Sequence, residues 1–275
     1  LAIITSRMTK GESFRHVQIT NGIVEAIFMS PKTSNNAFLF PLYIEQTQSD
    51  LFNDSGTWRT NINQNYINKI QKSTGLVYVK EGANDYLTHF DAEALQAYIF
   101  AILHSNGYRE RYKTVLTHDY PRIPSPISKA LFSNLVILGQ NLIKLQLLET
   151  IKLTDNDCKF IGSSREISKV GWTNEGGGTV WINGTGTSKN YKKGTSGFCP
   201  VPRNIWEHHI GGYQVCEKWL KDRGPKKGSS GRILTNDDIE HYQKIVFALH
   251  ETIIAMNNID KVIDQHGSWP DAFME

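Results

Sequence analysis

Residues 205–223, IWEHHIGGYQVCEKWLKDR, bring together the residue types most able to do chemistry. Adjacent histidines, a Gly-Gly step, a cysteine, two tryptophans and a tyrosine lie within one short run. His208, His209 and Cys216 are all metal-ligand types, but adjacent side chains diverge on a helix or a strand. No H-E-x-x-H or H-x-E…C-x-x-C pattern accompanies them. Spacing therefore favours packing or capping for the two histidines over ligation. Cys216 lacks the context of a thiol nucleophile and no G-x-S-x-G elbow is present, so it reads as a small buried hydrophobe.

Two glycine-rich loops, EGGGT (175–179) and NGTGTSKN (183–190), offer backbone N–H groups to an anion. Neither is a G-x-x-x-x-G-K-[ST] loop and neither opens a predicted helix. They read as hairpin tips or as contacts to a nucleic-acid backbone. The surrounding stretch from Arg165 to Arg203 interleaves cations with amides and aromatics: Lys169, Trp172, Asn174, Trp181, Asn183, Lys189, Asn190, Tyr191, Lys192 and Lys193. Lysine and arginine neutralise phosphates, and asparagine and arginine pair with base edges. A solvated loop carries the same composition, so both readings stay open on the residues alone.

The elements that must position these side chains alternate in type. Residues of about 1–80 look β-rich, with AIIT, HVQIT, GIVEAIFM and NNAFLFPLYI as short β-branched or apolar runs. Residues 45–75 are polar and read as a variable connection, and TGLVYVK (74–80) as one more strand. A helical stretch follows over 91–149. There Leu95, Tyr98, Ile99, Ile102 and Leu103 repeat at helical spacing, with Asp91 as N-cap and Asn106-Gly107 as the stop. YRERYKTVL (108–116) and SKALFSNLVILGQNLIKLQLLE (128–149) give two more helices. Residues 150–204 return to strands and loops, with SKVGWT and GTVWIN flanking NEGGG as a hairpin. The signature segment and a long helix fill 205–275, the helix opening on Thr235 and Asp238 in a capping-box spacing. This order predicts an α+β fold in which a β-rich recognition part packs with a helical part.

Bulk properties set the outer limits. A chain of 275 residues, 39% hydrophobic and 21% charged, has globular composition and supports one large domain or two modest ones. No apolar run reaches the ~20 residues of a membrane span. Three dispersed cysteines, Cys158, Cys199 and Cys216, argue against a disulfide framework and fit a reducing cytoplasm. The net charge of +3 is modest, but it is concentrated. Residues 186–203 hold four cations and no acid, and 218–232 hold six cations against Asp222. The opening LAIITSRMTK, with no initiator Met and no signal-peptide layout, reads as a strand cut from a longer polypeptide.

Taken together, IWEHHIGGYQVCEKWLKDR and LTNDDIEHYQKIVFALHETI resemble the C-terminal part of type ISP restriction-modification enzymes and related adenine-specific DNA methylases. LAIITSRM…FRHVQIT…IVEA…FLFPLYI, AYIFAILHSNGYRERY and PRIPSP match in the same order. The resemblance covers nearly all of the chain, leaving out the polar connection and the variable Gly-rich loop. It implies a target recognition (specificity) region spanning 1–275. The parent would add an S-adenosylmethionine-dependent methyltransferase upstream, and in some members an ATP-driven, Mg-dependent motor and nuclease. No F-x-G-x-G loop or [ND]-P-P-[YF] motif occurs in the chain, so catalysis and cofactors are expected to belong to the parent.

The expected partners are double-stranded DNA and the upstream methyltransferase domain, in the cytoplasm. The implied mechanism is recognition of a short sequence that presents one adenine for extrusion into the neighbouring pocket. Chemical reasoning nominates Arg7, Arg15, Arg165, Lys169, Asn174, Lys189, Asn190, Lys192, Lys193 and Arg203 as DNA contacts. Trp206, His209, Gly211, Gly212, Tyr213 and Trp219 are expected to be structural, with Trp206, Ile210, Tyr213, Val215 and Trp219 as an apolar anchor. Two other classes compete: a protein-docking module of a defence complex, and a metal-dependent nuclease fragment built on His208 and His209.

Overall fold

The computed structural model describes residues 1–30, 36–45, 58–80, 85–187, 190–226, 228 and 230–274. The fold is mixed α+β, with small sheets and a long C-terminal helix. It divides into two compact units: Leu1–Leu147 with Ile254–Glu275, and Leu148–Ile253. Among the described residues no helix is long and apolar enough to cross a membrane.

The first unit opens on a three-stranded antiparallel sheet. β1 (Ala2–Ser6) is central, between β2 (Val17–Thr20) and β3 (Ala37–Pro41), with Ile3 opposite both Ile19 and Phe40. All of β1 is buried, which suits its β-branched composition. GIVEAIFM, expected as a strand, forms turns instead. Ile23, Ile27 and Phe28 are all exposed and only Met29 is buried, so the segment has no buried face to pin a register. β4 (Tyr43–Glu45) pairs with β5 (Trp58–Thr60), while residues 46–57 of the polar connection lie outside the described residues.

The remainder of that connection is a helix, α1 (Gln64–Thr74), rather than a variable loop. Asn63 caps it by accepting from the Asn65 amide at 2.8 Å, and Ile67 and Ile70 bury one narrow face. Its exposed Asn, Gln and Lys residues conceal that two-residue stripe in the sequence. β6 (Val77–Tyr78) then runs parallel to β7 (His89–Phe90).

Asp91 caps α2 (Ala92–His104) by accepting from the Ala94 amide at 2.8 Å. The periodicity predicted one apolar face, yet eleven of the thirteen residues of α2 are buried, because its small alanines also face neighbouring elements. The helix stops at Ser105, not at Asn106-Gly107. Ser105 Oγ accepts from the Tyr108 amide at 3.0 Å and opens α3 (Asn106–Arg111), which α4 (Lys113–Leu116) follows. The Asp260 carboxylate accepts from the Ser105 hydroxyl and from the Asn106 and Gly107 amides, satisfying donors that a helix start leaves unpaired.

β8 (Ser125–Pro126) leads to α5 (Lys129–Gln146), capped by Ser128. α5 lies against α2 so closely that a Cβ at Gly139 would sit 1.9 Å from the Ala97 carbonyl oxygen.

The second unit is built on a four-stranded antiparallel sheet of order β10-β11-β12-β9. Its strands are β9 (Lys159–Ile161), β10 (Gly171–Thr173), β11 (Thr179–Trp181) and β12 (Gly197–Cys199). β10 and β11 form the expected hairpin around NEGGG, with a short 3-10 turn at Glu175–Gly177. Val180 and Phe198 on the strands, with Ile182 and Val201 just beyond them, make the sheet side of the core.

α6 (Arg203–Trp206), the hairpin β13 (His209–Ile210) and β14 (Tyr213–Gln214), and α7 (Val215–Lys221) follow. α8 (Asn236–Gln265) gives Tyr242, Val246 and Leu249 to this core and Ala255, Ile259 and Ile263 to that of the first unit. β15 (Phe273–Met274) pairs with β8.

The start of α8 carries the capping box in full. Asp238 accepts from the Thr235 amide at 3.0 Å, and Thr235 Oγ1 accepts from the Asp238 amide at 3.1 Å. Arg232 and Arg223 converge on the same carboxylate, whose side chain is 9% exposed. Burial alone would raise the Asp238 pKa, but the Thr235 hydrogen bonds and the two arginines together hold it below the usual value.

Two stability tests follow from these contacts. Gly139→Ala should destabilise the first unit by about 1–3 kcal/mol or more in chemical denaturation, because the clash is with backbone. Asp238→Asn should be destabilising at neutral pH. The difference from the parent should begin to shrink as pH falls below about 4, the unfolded value, and vanish once pH has dropped through the lower native value, where the native carboxylate is protonated as well. Denaturation at stepped pH measures both the sign and the window.

Candidate nucleic-acid interface

Tyr191 and Asn183 shape the basic loop of the second unit. The Tyr191 ring occupies space that exists only because Gly171 and Gly184 lack side chains. A Cβ on Gly171 would lie 2.4 Å from the ring, and one on Gly184 would lie 2.0 Å from the hydroxyl oxygen. The hydroxyl donates to the Lys169 carbonyl at 3.2 Å. Asn183 Oδ1 accepts from the Thr195 and Ser196 amides at 2.9 and 3.0 Å, and its Nδ2 donates to Thr195 Oγ1. Thr185 and Lys192 bridge across the loop base through paired backbone hydrogen bonds.

Asn183 is thus a structural residue, although composition grouped it with the base-reading amides. The glycines of this stretch permit close packing against Tyr191. The loop beyond this clamp is exposed at Thr185, Gly186, Thr187 and Asn190, and again at Lys192 and Lys193.

Lys192 carries no ion pair among the described residues, whereas Lys193 meets Glu175 at 3.2 Å. That pair is more than half exposed on both sides, and such pairs contribute only ~0–1 kcal/mol. Exchanging Glu175 for a phosphate oxygen would therefore cost little. Asn174 is exposed in the adjacent β10–β11 turn and makes no side-chain cap. Lys189 lies outside the described residues.

A groove of about 570 Å³ lies in the same unit. It brings Lys169 and Arg203 together with the aromatic side chains Trp172, Tyr191 and Trp206. Lys221, Gln214, Glu207, Glu217 and Ser168 add to its polar lining. The Trp172 indole N–H is engaged by the Val201 carbonyl at 2.8 Å, which fixes the ring in the wall. Arg203 pairs with Glu207 and Lys221 with Glu217, both at 2.8 Å, so the groove is mixed in charge. Gln214 and Lys221 were not singled out in the sequence, because each looks like an ordinary surface residue of a helix or hairpin.

Arg165 is exposed where its carbonyl accepts from the Leu234 amide. Arg7 and Arg15 belong to the first unit and do not join this cluster within a unit. Arg7 is exposed and 3.7 Å from Asp119. Arg15 is exposed beside the buried His16, and its charge adds to burial in lowering the pKa of Arg109 to about 10.

The basic run 218–232 divides differently. Arg223 and Arg232 serve Asp238, and Arg223 also lies 3.5 Å over the Trp219 ring. Lys218 and Lys226 both pair with Asp222. Two of its arginines are therefore structural, which leaves the loop of residues 185–193 as the less self-neutralised surface.

The signature segment packs into the core of the second unit. Ile205, Cys216 and Leu220 are its buried members, and Trp206, Ile210, Val215 and Trp219 pack against them half-buried. Tyr213 departs from the expected anchor: its ring lies under the Lys218 ammonium, 5.1 Å from the centroid, at the edge of the core. Trp219 stacks on His241 at 5.6 Å. Gly211 adopts φ +57° in the two-residue turn between Ile210 and Tyr213, a conformation glycine adopts at little cost, and Gly212 completes that turn.

His209 Nδ1 pairs with the Glu207 carbonyl at 2.6 Å, and the His208 backbone links Ile205 to Val215. Among the described residues no group of three or more His, Cys, Asp or Glu is arranged to hold a metal ion. Burial pushes the Cys216 thiol up to about 12, which keeps it protonated and unreactive at neutral pH.

Comparison with known proteins places this geometry. The ATP-dependent Type ISP restriction-modification enzyme LlaBIII bound to DNA shares the fold with a TM-score of 0.64 at 15% identity, over 94% of this chain and 16% of that one. The cryoEM structure of the DrdV–DNA complex matches with a TM-score of 0.62 at 17% identity, over 99% and 25%. A nuclease-deletion mutant of the Type ISP enzyme LlaGI in complex with a DNA substrate mimic matches with a TM-score of 0.59 at 16% identity, over 94% and 21%. The chain thus spans at most a quarter of the length of these proteins. Comparison with curated proteins gives no match. The model of the Type ISP C-terminal specificity domain matches residues 1–258, and the chain belongs to that family.

Proposed function

We propose that this chain is the DNA target recognition module of a restriction-modification enzyme. It would read a short duplex sequence and position one adenine for an upstream S-adenosylmethionine-dependent methyltransferase. ATP and Mg would enter only through motor or nuclease domains of the parent, which would act on DNA in the cytoplasm. The observation that carries this reading is a basic, amide-bearing loop clamped to a sheet by Tyr191 and Asn183, in a chain of the specificity-domain family. A rigid base with an exposed tip suits base reading, since side chains that read edges need a fixed register on the duplex.

In this reading Lys192 and Lys193, with Arg165, Lys169, Lys189 and Arg203, neutralise phosphates. Asn174 and Asn190, both exposed, would pair with base edges. Arg7 and Arg15 add positive potential from the first unit. Extrusion of the adenine and its methylation belong to the neighbouring domain.

The direct test is methylation mapping in a host that expresses the full-length parent. One methylated adenine motif is expected, and Asn190→Ala should relax a single position of it, equivalent to ~1–3 kcal/mol of lost discrimination. Absence of any methylated motif, or an unchanged motif on exchange of the whole loop, counts against the assignment. Separately, duplex affinity of the chain should fall steeply with salt. Lys192→Ala with Lys193→Ala should weaken binding to all sequences alike and make the log–log salt slope shallower by about 1.8. A flat salt dependence would favour a protein-docking role instead.

A further inference from the structure

The groove of the second unit holds more than phosphate contacts need. Three half-exposed aromatic side chains, Trp172, Tyr191 and Trp206, line this cavity of about 570 Å³. Sites that take one small organic molecule span about 300–1,000 Å³. The ring contacts of the second unit run elsewhere, through Phe160, Phe198, Trp219, His241 and Tyr242. Among the described residues, none of the three groove rings packs on another aromatic ring. Singly such rings need no explanation, but three around one cavity do.

Two of the rings are held in place by their polar ends. The Trp172 indole N–H donates to the Val201 carbonyl at 2.8 Å, and the Tyr191 hydroxyl to the Lys169 carbonyl at 3.2 Å. With those atoms engaged, both residues offer the groove ring surface rather than hydrogen bonds. Their positions are set before a ligand arrives, which lowers the ordering cost of binding.

Charge decides what else the ligand carries. Lys169, Arg203 and Lys221 stand on the lining against Glu207 and Glu217, three cations against two carboxylates. Lys169 enters no ion pair among the described residues, and the cations of the other two pairs are more than half exposed. Such pairs exchange a carboxylate for a phosphate oxygen at little cost. A neutral apolar ligand would leave these cations unused, and a simple anion would leave the rings unused. A nucleotide uses both, because any base has a π-face and carries a phosphate beside it.

A base inside a duplex shows the protein only its edge, since its faces are covered by its neighbours. Ring surface can reach a base face only after that base has left the stack. Tyr191 belongs both to this groove and to the base of the basic loop, so the two features adjoin. We propose that the groove takes one unpaired nucleotide of the bound DNA, its base stacked on Trp172, Tyr191 and Trp206 and its phosphate met by Lys169 and Arg203. The inference rests on the DNA-recognition reading and extends it: the chain would hold a nucleotide outside the helix as well as read the helix. Extrusion of a target base leaves its complement unpaired and is one source of such a nucleotide.

The test compares two duplexes of one sequence, one fully paired and one with a single extra unpaired nucleotide, titrated against the 275-residue chain at low salt. The unpaired duplex should bind at least about fivefold tighter. In Trp206→Leu, which keeps an apolar side chain toward the core, the ratio of the two affinities should fall to about one. Trp206→Phe restores a ring and should restore most of the preference, which a purely structural role for Trp206 does not predict. A second arm needs no variant and decides the matter if Trp206→Leu fails to fold. With 5-iododeoxyuridine at the unpaired position, irradiation should cross-link the DNA to Trp172, Tyr191 or Trp206.

Equal affinity for the two duplexes, a preference that survives Trp206→Leu, or cross-links confined to residues outside the groove would overturn the inference and leave the DNA-recognition reading standing. Failure of both duplexes to bind at low salt would remove that reading and this inference together.

Discussion

The proposed recognition loop depends on one steric constraint: two glycines must remain bare for the Tyr191 ring to occupy its place. Gly171 on β10 and Gly184 at the loop base vacate the volume that the ring fills, and the Lys169 carbonyl orients its hydroxyl. Burial raises the Tyr191 pKa to about 12, so the group stays a neutral donor throughout the physiological range. Without that contact the loop would keep, among the described residues, Asn183, the Thr185–Lys192 bridge, the Gly184 amide on the Lys169 carbonyl and the exposed Lys193–Glu175 pair. Ordering its lysines on a duplex would then cost conformational entropy at the moment of binding.

Charge is arranged with a similar division of labour. The run 218–232 is the richer in cations, yet Arg223 and Arg232 are committed to Asp238, where they stabilise the start of α8. The loop of residues 185–193 holds fewer cations, but Lys192 has no ion pair among the described residues and the Lys193 pair is exposed and weak. Local net charge alone ranks these stretches in the opposite order. What matters for a phosphate contact is how much existing interaction a cation must surrender.

Much of the fold was legible in the sequence where a local rule sufficed. Asp91 before an apolar helical repeat, Thr235 three residues ahead of Asp238, and two β-branched runs around NEGGG each specify a cap or a hairpin, and each forms. The misses arise where a tertiary contact decides. α1 has only Ile67 and Ile70 as its buried stripe, too little to stand out against Asn and Gln. GIVEAIFM has strand composition but no buried face, so it turns. Ser105 ends α2 because Asp260, 155 positions away, completes the cap of the next helix.

The candidate site shows the same split. The basic loop could be found by composition. The clamp residues and the Arg203–Glu207 pairing depend on neighbours that no local pattern displays.

The clamp has a consequence for how such a module changes its target. Asn183, Tyr191 and the two bare glycines all act at the base of the loop, whereas its described tip residues are exposed and bury nothing. In the proposed reading, folding and recognition are therefore separable: mutations at the exposed tip positions leave the sheet and its core untouched. New sequence preferences can be sampled there almost neutrally with respect to stability, and a tip transplanted between the same anchors would keep its footing. Selection for a changed recognition site need not negotiate with selection for a folded domain.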